Sequence, residues 1–422
     1  LAWPSILRRS TRALTLPAQR ATQRDPQEVR MFIGLSPEQE ALRKELRAYF
    51  EKLLTPDVRA ALVAEHGTGP RTKAVRMQMA RDGWFCFGWP VEYGGKGASE
   101  IDHFIFFDEA MRAGAPVPML SVNTVGPTLM RYGTEEQKAF FLPKIASGES
   151  EFCIGYSEPG AGTDLASLKT TAIRDGDHYV INGQKTWTSL AKGADFIWLA
   201  VRTDPSAAKH AGISMMLVDM NTPGIRVDPL DLLVEHNINT VFFDDVRVPA
   251  NRRVGGENKG WKLITNQLNH ERVTLCSSGV LEGAYQAVKT YAEETKLPSG
   301  QRVIDEEWVQ VNLAKVYAGL EFLRLINWKV AWSASKGTLS PADASATKVF
   351  GTEFYLDSFQ LLMEILGPRG YLTRSSHGAA AAGTLESLYR GLMILTFGGG
   401  VNEVQRDLIA LFGLHLPRIP RH

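Results

Sequence analysis

Tyr156-Ser157-Glu158-Pro159-Gly160-Ala161-Gly162-Thr163-Asp164, followed by Asn182-Gly183-Gln184-Lys185-Thr186-Trp187, sets the character of this chain. Gly160, Ala161 and Gly162 stand beside a hydroxyl and a carboxylate, which makes a turn whose backbone N–H groups can come close to a polar ligand edge. Trp187 then supplies a flat surface. Taken singly, the pieces also fit a surface turn and a core tryptophan of the next strand. Their order and spacing favour one ligand site.

At 422 residues the chain is long enough for two or three domains and a large core. Lysine and arginine number 47 against 46 acids, so no global field draws it to nucleic acid or an anionic membrane, and an anionic substrate must be met locally. Cys86, Cys153 and Cys276 are odd in number and far apart, which argues against disulfides or a zinc site and fits a reducing compartment. No metal site is expected, and no apolar run is long enough to cross a bilayer. Residues 1–30 carry Arg8, Arg9, Arg12, Arg20 and Arg24 before the first acid, Asp25. That composition suits a mitochondrial transit peptide; the preferred reading is an extraneous leader with Met31 as the start.

From Ser36 the sequence predicts a capped helix, with Pro37 in the first turn, Gln39 completing a capping box, and Leu42, Leu46, Tyr49, Phe50 and Leu53 on one stripe. Thr134 and Gln137 form a second box. After Glu151 short β-branched and aromatic runs at 169–174, 178–182, 195–203, 212–219 and 239–248 predict strands, separated by turns such as Asp175-Gly176-Asp177 and Thr222-Pro223-Gly224. After Gly260 the helical period returns to about residue 413. The fold class is therefore α+β with segregated layers. The expected domains are a leader at 1–30, an N-terminal helical domain at 31–150, a middle β domain at 151–255 and a C-terminal helical domain at 256–422.

The Tyr156–Asp164 turn, the Trp187 strand and the Trp89-Pro90-Val91-Glu92-Tyr93-Gly94-Gly95-Lys96-Gly97 segment together resemble the acyl-CoA dehydrogenase family, over essentially residues 32–418. The resemblance implies N-terminal helices, a β-barrel-like middle domain and a C-terminal helical bundle. It implies FAD as cofactor, with Tyr156, Ser157, Gly162, Thr163, Trp187 and Ser189 at the flavin. The implied reaction is α,β-dehydrogenation of a thioester: a base removes the α-proton while the β-hydrogen leaves as hydride to the flavin.

In most of that family the base is a glutamate in a C-terminal loop before an E-x-Q-R element. Here Glu403-Val404-Gln405-Arg406 is present, but Gly399 of Thr396-Phe397-Gly398-Gly399-Gly400-Val401-Asn402 takes the glutamate's place. A minority of the family carries the base on the first helix after the β domain, before an arginine, where this chain has Asn269-His270-Glu271-Arg272. Ile264, Leu268, Glu271 and Leu275 are spaced four, three and four apart, so Glu271 falls in an apolar stripe. A carboxylate there is rare unless paired or functional; it is either the base or a partner of Arg272 or His270. Partial burial would make it a stronger base. The resemblance implies that a flavin ribityl hydroxyl and the N–H at Gly399 hold the thioester oxygen. Arg272 is either a stiffening arginine of the site or a plain ion-pair partner.

In homotetrameric members a neighbour's R-x-x-F-G and Q-x-x-G-G segments hold the ADP part of the flavin. Here those places read Thr295-Lys296-Leu297-Pro298-Ser299-Gly300 and Glu364-Ile365-Leu366-Gly367-Pro368, and Pro368 removes an N–H that could face a phosphate. The chain is similar to the base-bearing subunit of heterotetrameric actinobacterial acyl-CoA dehydrogenases that shorten steroid side chains. That implies an α2β2 assembly with a related subunit, a steroid side-chain acyl-CoA substrate, an electron-transfer flavoprotein as electron acceptor and a cytoplasmic location, with the mitochondrial matrix as the lesser choice. Competing expectations are a homotetrameric branched- or fatty-acyl-CoA dehydrogenase, in which Lys296 or Arg302 replaces the lost arginine, a non-catalytic scaffold subunit, and an oxidase on the same fold.

Overall fold

The computed structural model describes residues 34–233, 237–271 and 276–417, without the side chains of 266, 268–271 and 382. The leader at 1–30 and Arg272 lie outside the described residues, as does the side chain of Glu271.

Helix α1, Pro37–Leu53, begins as its sequence predicts: Gln39 N donates to Ser36 Oγ at 3.3 Å and Ser36 N to Gln39 Oε1 at 2.9 Å. This reciprocal box satisfies two N–H groups that a helix start leaves open. Helices α2 Pro56–Ala64, α3 Pro70–Arg81, α4 Glu100–Ala113, α5 Gly126–Tyr132 and α6 Glu135–Ala146 follow, α6 opened by the second box at Thr134 and Gln137.

Eight strands come next: β1 Phe152–Gly155, β2 Thr171–Asp175, β3 His178–Ser189, β4 Phe196–Arg202, β5 Ile213–Asp219, β6 Ile225–Pro229, β7 Ile238–Pro249 and β8 Arg253–Val254. They hydrogen-bond in the order β6-β7-β3-β2-β4-β5-β8, with β1 parallel to β4. β1, β6 and β8 were not expected. They are short, and β6 carries Arg226 and Asp228 in its middle, so apolar patterning gives them little signal. β3 runs seven residues beyond the expected run, to Ser189, and so includes Trp187, which falls at a break in the β3–β7 register.

Helices α7 Gly260–Glu271, α8 Ser278–Glu294, α9 Glu307–Ser335, α10 Pro341–Leu366, α11 Thr384–Leu392 and α12 Asn402–Leu408 complete the chain. β4 is buried throughout because both its faces are covered. Phe196, Trp198 and Ala200 point into a core shared with the N-terminal helices, and Ile197, Leu199 and Val201 into the core on the sheet's far face. Leu263 and Ile264 of α7 join the first of these cores, which sets α7 between the sheet and the N-terminal helices. A further core binds α8 to α11.

The C-terminal helices are tied to the N-terminal ones by a cap. Asp108 of α4 accepts from Ser277 Oγ at 2.7 Å and Gly279 N at 3.0 Å, completing the N-terminus of α8 from another domain. The stretch between α7 and α8 is thus anchored at its far end, where Tyr355 of α10 also donates to Ser277 O. Among the described residues no helix is long and apolar enough to cross a membrane.

Candidate active site

The turn after β1 is built on two reciprocal backbone bonds, Glu158 N to Ala161 O at 2.9 Å and Ala161 N to Glu158 O at 3.0 Å. Ala161 is buried beneath it, while Gly160, Gly162 and Thr163 are exposed. A Cβ added at Gly160 or Gly162 would meet nothing within 4 Å. The space above the turn is therefore open, so nothing in the fold itself requires these glycines.

Glu158 fixes the turn to the sheet. Its carboxylate accepts from Lys169 N at 2.6 Å, Thr170 N at 2.9 Å and Lys185 Nζ at 2.7 Å, and the same ammonium donates to Tyr156 O at 3.1 Å. Burial raises the Glu158 carboxyl, but the Lys185 charge and the donated hydrogen bonds outweigh it and hold it below the ordinary carboxylate range. Burial pulls Lys185 down to about 8 against the attraction of Glu158. Thr186 N donates to Ser157 O at 2.9 Å, so the turn lies directly beside the strand that carries Trp187.

Trp187 stands in a β-bulge. Lys185 pairs with Val241 and Thr188 with Asn239, so three steps on β3 face two on β7. The extra residue resets the in-and-out alternation, and a bulge re-aims the side chain it carries. Trp187 has a backbone φ of 59°, in the left-handed region that bulky residues avoid. The residue is 58% exposed. A strained backbone that presents a large aromatic surface to open space points to a functional constraint. Among the described residues the side-chain hydroxyls of Ser157, Thr163 and Ser189 have no hydrogen-bond partner. An aromatic plane, unpaired hydroxyls and an open turn suit a planar heteroaromatic ligand with a polar rim and chain.

Tyr156 also contributes its side chain, which the sequence does not announce. Its hydroxyl donates to Gln267 Oε1 at 2.5 Å, and Trp198 Nε1 donates to the same oxygen at 3.0 Å. Gln267 lies on α7 one turn before Glu271, with 2% of its surface exposed. The sheet is thereby hydrogen-bonded to the helix that ends at Glu271. The signal was available: a glutamine three and four residues after Ile264 and Leu263 falls on the buried face of that helix.

The glycine loop lies between Thr396 and α12. Gly399 and Gly400 have φ of 69° and 91°, which side chains rarely adopt, and a Cβ at Gly400 would come within 2.5 Å of Gln405 Nε2. Among the described residues the N–H groups of Gly399 and Gly400 have no acceptor. Lys348 of α10 lies beneath the loop, fully buried, and donates to Thr396 O at 3.2 Å, Gly400 O at 2.9 Å and Asn402 Oδ1 at 2.6 Å. The thiol of Cys276 faces Lys348 O at 3.7 Å. One residue of α10 thus touches both the glycine loop and Cys276, just before α8.

Of the positions discussed for the ADP part, Lys296 is exposed on a small hairpin, and Arg302 is paired with Asp305 at 2.7 Å. Glu364 accepts from Asn312 Nδ2 at 3.0 Å, and Pro368 opens a short turn, Gly367–Tyr371.

Comparison with known proteins gives three family matches that cover almost all of the described chain: acyl-CoA dehydrogenase, N-terminal domain, at residues 36–149; middle domain, at 153–246; and C-terminal domain, at 258–413. The chain is 54% identical over 400 residues to acyl-CoA dehydrogenase FadE26 of Mycobacterium tuberculosis, covering 93% of this chain and 100% of that protein. Its structure resembles a chain of the ChsE4-ChsE5 complex from Mycobacterium tuberculosis, with a TM-score of 0.87 and 54% identity over 92% of this chain and 100% of that one. It also resembles a chain of the Tcur3481-Tcur3483 steroid ACAD, with a TM-score of 0.88 and 46% identity over 92% and 100%.

Proposed function

The chain belongs to the acyl-CoA dehydrogenase family, flavin-dependent oxidoreductases that act on CH–CH bonds, and we propose that it is a flavin-binding, base-bearing subunit that converts a steroid side-chain acyl-CoA to its 2,3-enoyl-CoA. The observation that carries this reading is the division of labour between two arms. The glycine loop carries Gly399 where most of the family has a glutamate and, among the described residues, leaves the N–H groups of Gly399 and Gly400 without acceptors, while α7 ends on Glu271.

FAD fits the residues around Trp187. In this reading Ser157, Gly162, Thr163, Trp187 and Ser189 would hold its ring and the adjoining polar chain, and Tyr156 would contribute backbone contacts. When bound, FAD supplies the acceptor for the β-hydrogen. Glu271 takes the α-proton, and Gly399 N–H donates to the thioester oxygen as negative charge develops there. Arg272, next in the chain, stiffens the base. A glycine at 399 serves this role because the backbone donor remains while the side chain is gone.

The steroid substrate rests on likeness to the Tcur3481-Tcur3483 steroid ACAD and on the volume removed by Gly398-Gly399-Gly400. The partner is a related dehydrogenase subunit in an α2β2 assembly. Lys296, Glu364 and Pro368 are poor holders of a neighbour's ADP moiety, and α9 exposes Trp308, Val311, Phe322, Leu325 and Trp332. These fall on two rows at heptad spacing, 308 and 322 on one and 311, 325 and 332 on the other, as in a helix seam that meets a partner. Electrons leave to an electron-transfer flavoprotein past the exposed edge at Trp187, and the enzyme works in a bacterial cytoplasm.

The test is turnover of the assembled enzyme. Glu271→Gln should keep flavin and product-CoA binding and lose at least about a thousandfold in kcat. Wild-type-like turnover would remove Glu271 as base. Preference for palmitoyl-CoA over a steroid side-chain CoA ester, in kcat/KM, would remove the steroid.

A further inference from the structure

We infer that Lys348 is the positioning residue of the glycine loop, the side chain that fixes the Gly398–Gly399 peptide so that its N–H can serve as an oxyanion donor. The inference rests on the dehydrogenase reading above and deepens it.

Three consecutive glycines have no side chains to pack and lose the most freedom on ordering. A donor useful in catalysis must nevertheless be held in place before charge develops. The loop meets this need through its carbonyl oxygens. An ammonium offers three donors, and Lys348 Nζ directs bonds to Thr396 O, Gly400 O and Asn402 Oδ1 at 3.2, 2.9 and 2.6 Å. Gln405 Nε2, fully buried, donates to Gly399 O at 3.1 Å. On the other side Phe397 N and Gly398 N both reach Ile394 O, at 3.0 and 2.8 Å. The Gly398–Gly399 peptide is therefore held from both ends while, among the described residues, its own N–H has no acceptor.

The placement of Lys348 gives a second reason. A fully buried ammonium is costly unless it is hydrogen-bonded and useful. Asn402, which receives it, is itself fixed by donating to Thr352 Oγ1 and Glu353 Oε1, each at 3.0 Å. The backbone of the same lysine receives the Cys276 thiol, and a Cβ at Gly351, one turn on, would lie 2.5 Å from Cys276 Cβ. Residues 348–351 of α10 thus contact both the glycine loop and Cys276, just before α8.

The experiment uses flavin-loaded enzyme co-purified with its partner subunit, wild type against Lys348→Met. Three readouts are taken: amide hydrogen exchange over 396–402, kcat and KM, and the red shift of a bound chromophoric enoyl-CoA, which reports polarisation of its carbonyl. In Lys348→Met, exchange over the loop should rise about tenfold or more, the red shift should shrink, and kcat should fall by about 10²-fold with KM nearly unchanged. Gln405→Met, which removes no charge, should move all three in the same direction and covers the case in which Lys348→Met does not fold. Unchanged loop exchange in a folded variant would overturn the clamp. Faster exchange with the red shift and kcat intact would make Lys348 merely structural and overturn the positioning role. If the wild type oxidised no acyl-CoA ester, the proposed function would fall, and the exchange data would still decide whether Lys348 holds the loop.

Discussion

Lys185 Nζ lies 2.7 Å from Glu158 Oε1, with the lysine fully buried in β3 and the glutamate 8% exposed at the foot of the turn. This one pair ties the open glycine turn to the strand that presents Trp187. The partners are 27 residues apart, and two backbone N–H groups and one backbone carbonyl complete the cluster. Removing one member strands the other charge away from water, which costs more than the pair itself contributes.

Lys185→Met should therefore destabilise the fold by about 3–5 kcal/mol and loosen the turn, while Lys185→Met combined with Glu158→Gln should recover part of that loss. Denaturant unfolding of the four forms measures the coupling. The sign with pH follows from the depressed Glu158 carboxyl. Its contribution is fully present above the ordinary carboxylate range and is lost as pH falls through the lowered value. Wild type and Glu158→Gln should thus converge in stability on acidification. Additive single effects, or a gap that widens toward low pH, would contradict the pair's role.

Trp187 separates fold from ligand. Relieving its left-handed backbone with glycine should stabilise the ligand-free chain by about 1 kcal/mol and weaken flavin retention. Gly162→Val should leave ligand-free stability within about 0.5 kcal/mol, because its Cβ meets open space, and should also reduce bound flavin. Thermal melts and flavin absorbance after gel filtration read the two effects separately. Full flavin occupancy in both variants would move the cofactor elsewhere.

His103 of α4 should make the N-terminal helices acid-sensitive. Burial pushes its imidazole down to about 4, with the Asn123 side chain opposing more weakly, and the ring stacks on Phe107 at 4.7 Å between centroids. Between the ordinary imidazole range and about 4 the unfolded chain holds a proton that the folded one refuses. Stability is complete above that window and falls as pH drops through it, by on the order of 2 kcal/mol. His103→Gln should flatten this part of the curve of stability against pH. An unchanged slope in that variant would assign the acid loss to other groups.

Local signals were legible, and those made by distant pairing were not. The boxes at Ser36–Gln39 and Thr134–Gln137 depend on residues three apart, so reading them needed no tertiary knowledge. The Trp187 bulge depends on the register of β3 against β7, and no window on one strand contains it. Lys185 stood in the quoted motif without a role, because its partner is a turn that only folding brings near. Lys348 had a signal that went unused. Ser345, Lys348, Thr352 and Tyr355 recur at three, four and three along α10 and are all buried, a polar stripe on the inner face of a helix, which must have partners. The roles proposed for Glu271 and Gly399 rest on family resemblance, because spacing alone leaves them open.

The exposed rows on α9 give the last prediction. Trp308, Val311, Phe322, Leu325 and Trp332 are each at least 45% exposed, and they lie along one 29-residue helix. Because their side chains face outward in the single chain, replacing Leu325 and Trp332 with glutamate should leave its helical circular dichroism unchanged. In the assembly the same charges would be buried without partners, at several kcal/mol each. Co-expressed with its related subunit, the double variant should therefore run as separate chains by light scattering, and the flavin should be lost with the partner. The wild-type assembly should contain two flavins per four chains, one for each copy of this subunit. A variant that keeps the assembly mass would place the interface elsewhere, and four flavins in a tetramer of this chain alone would replace the heteromeric reading with a homotetrameric one.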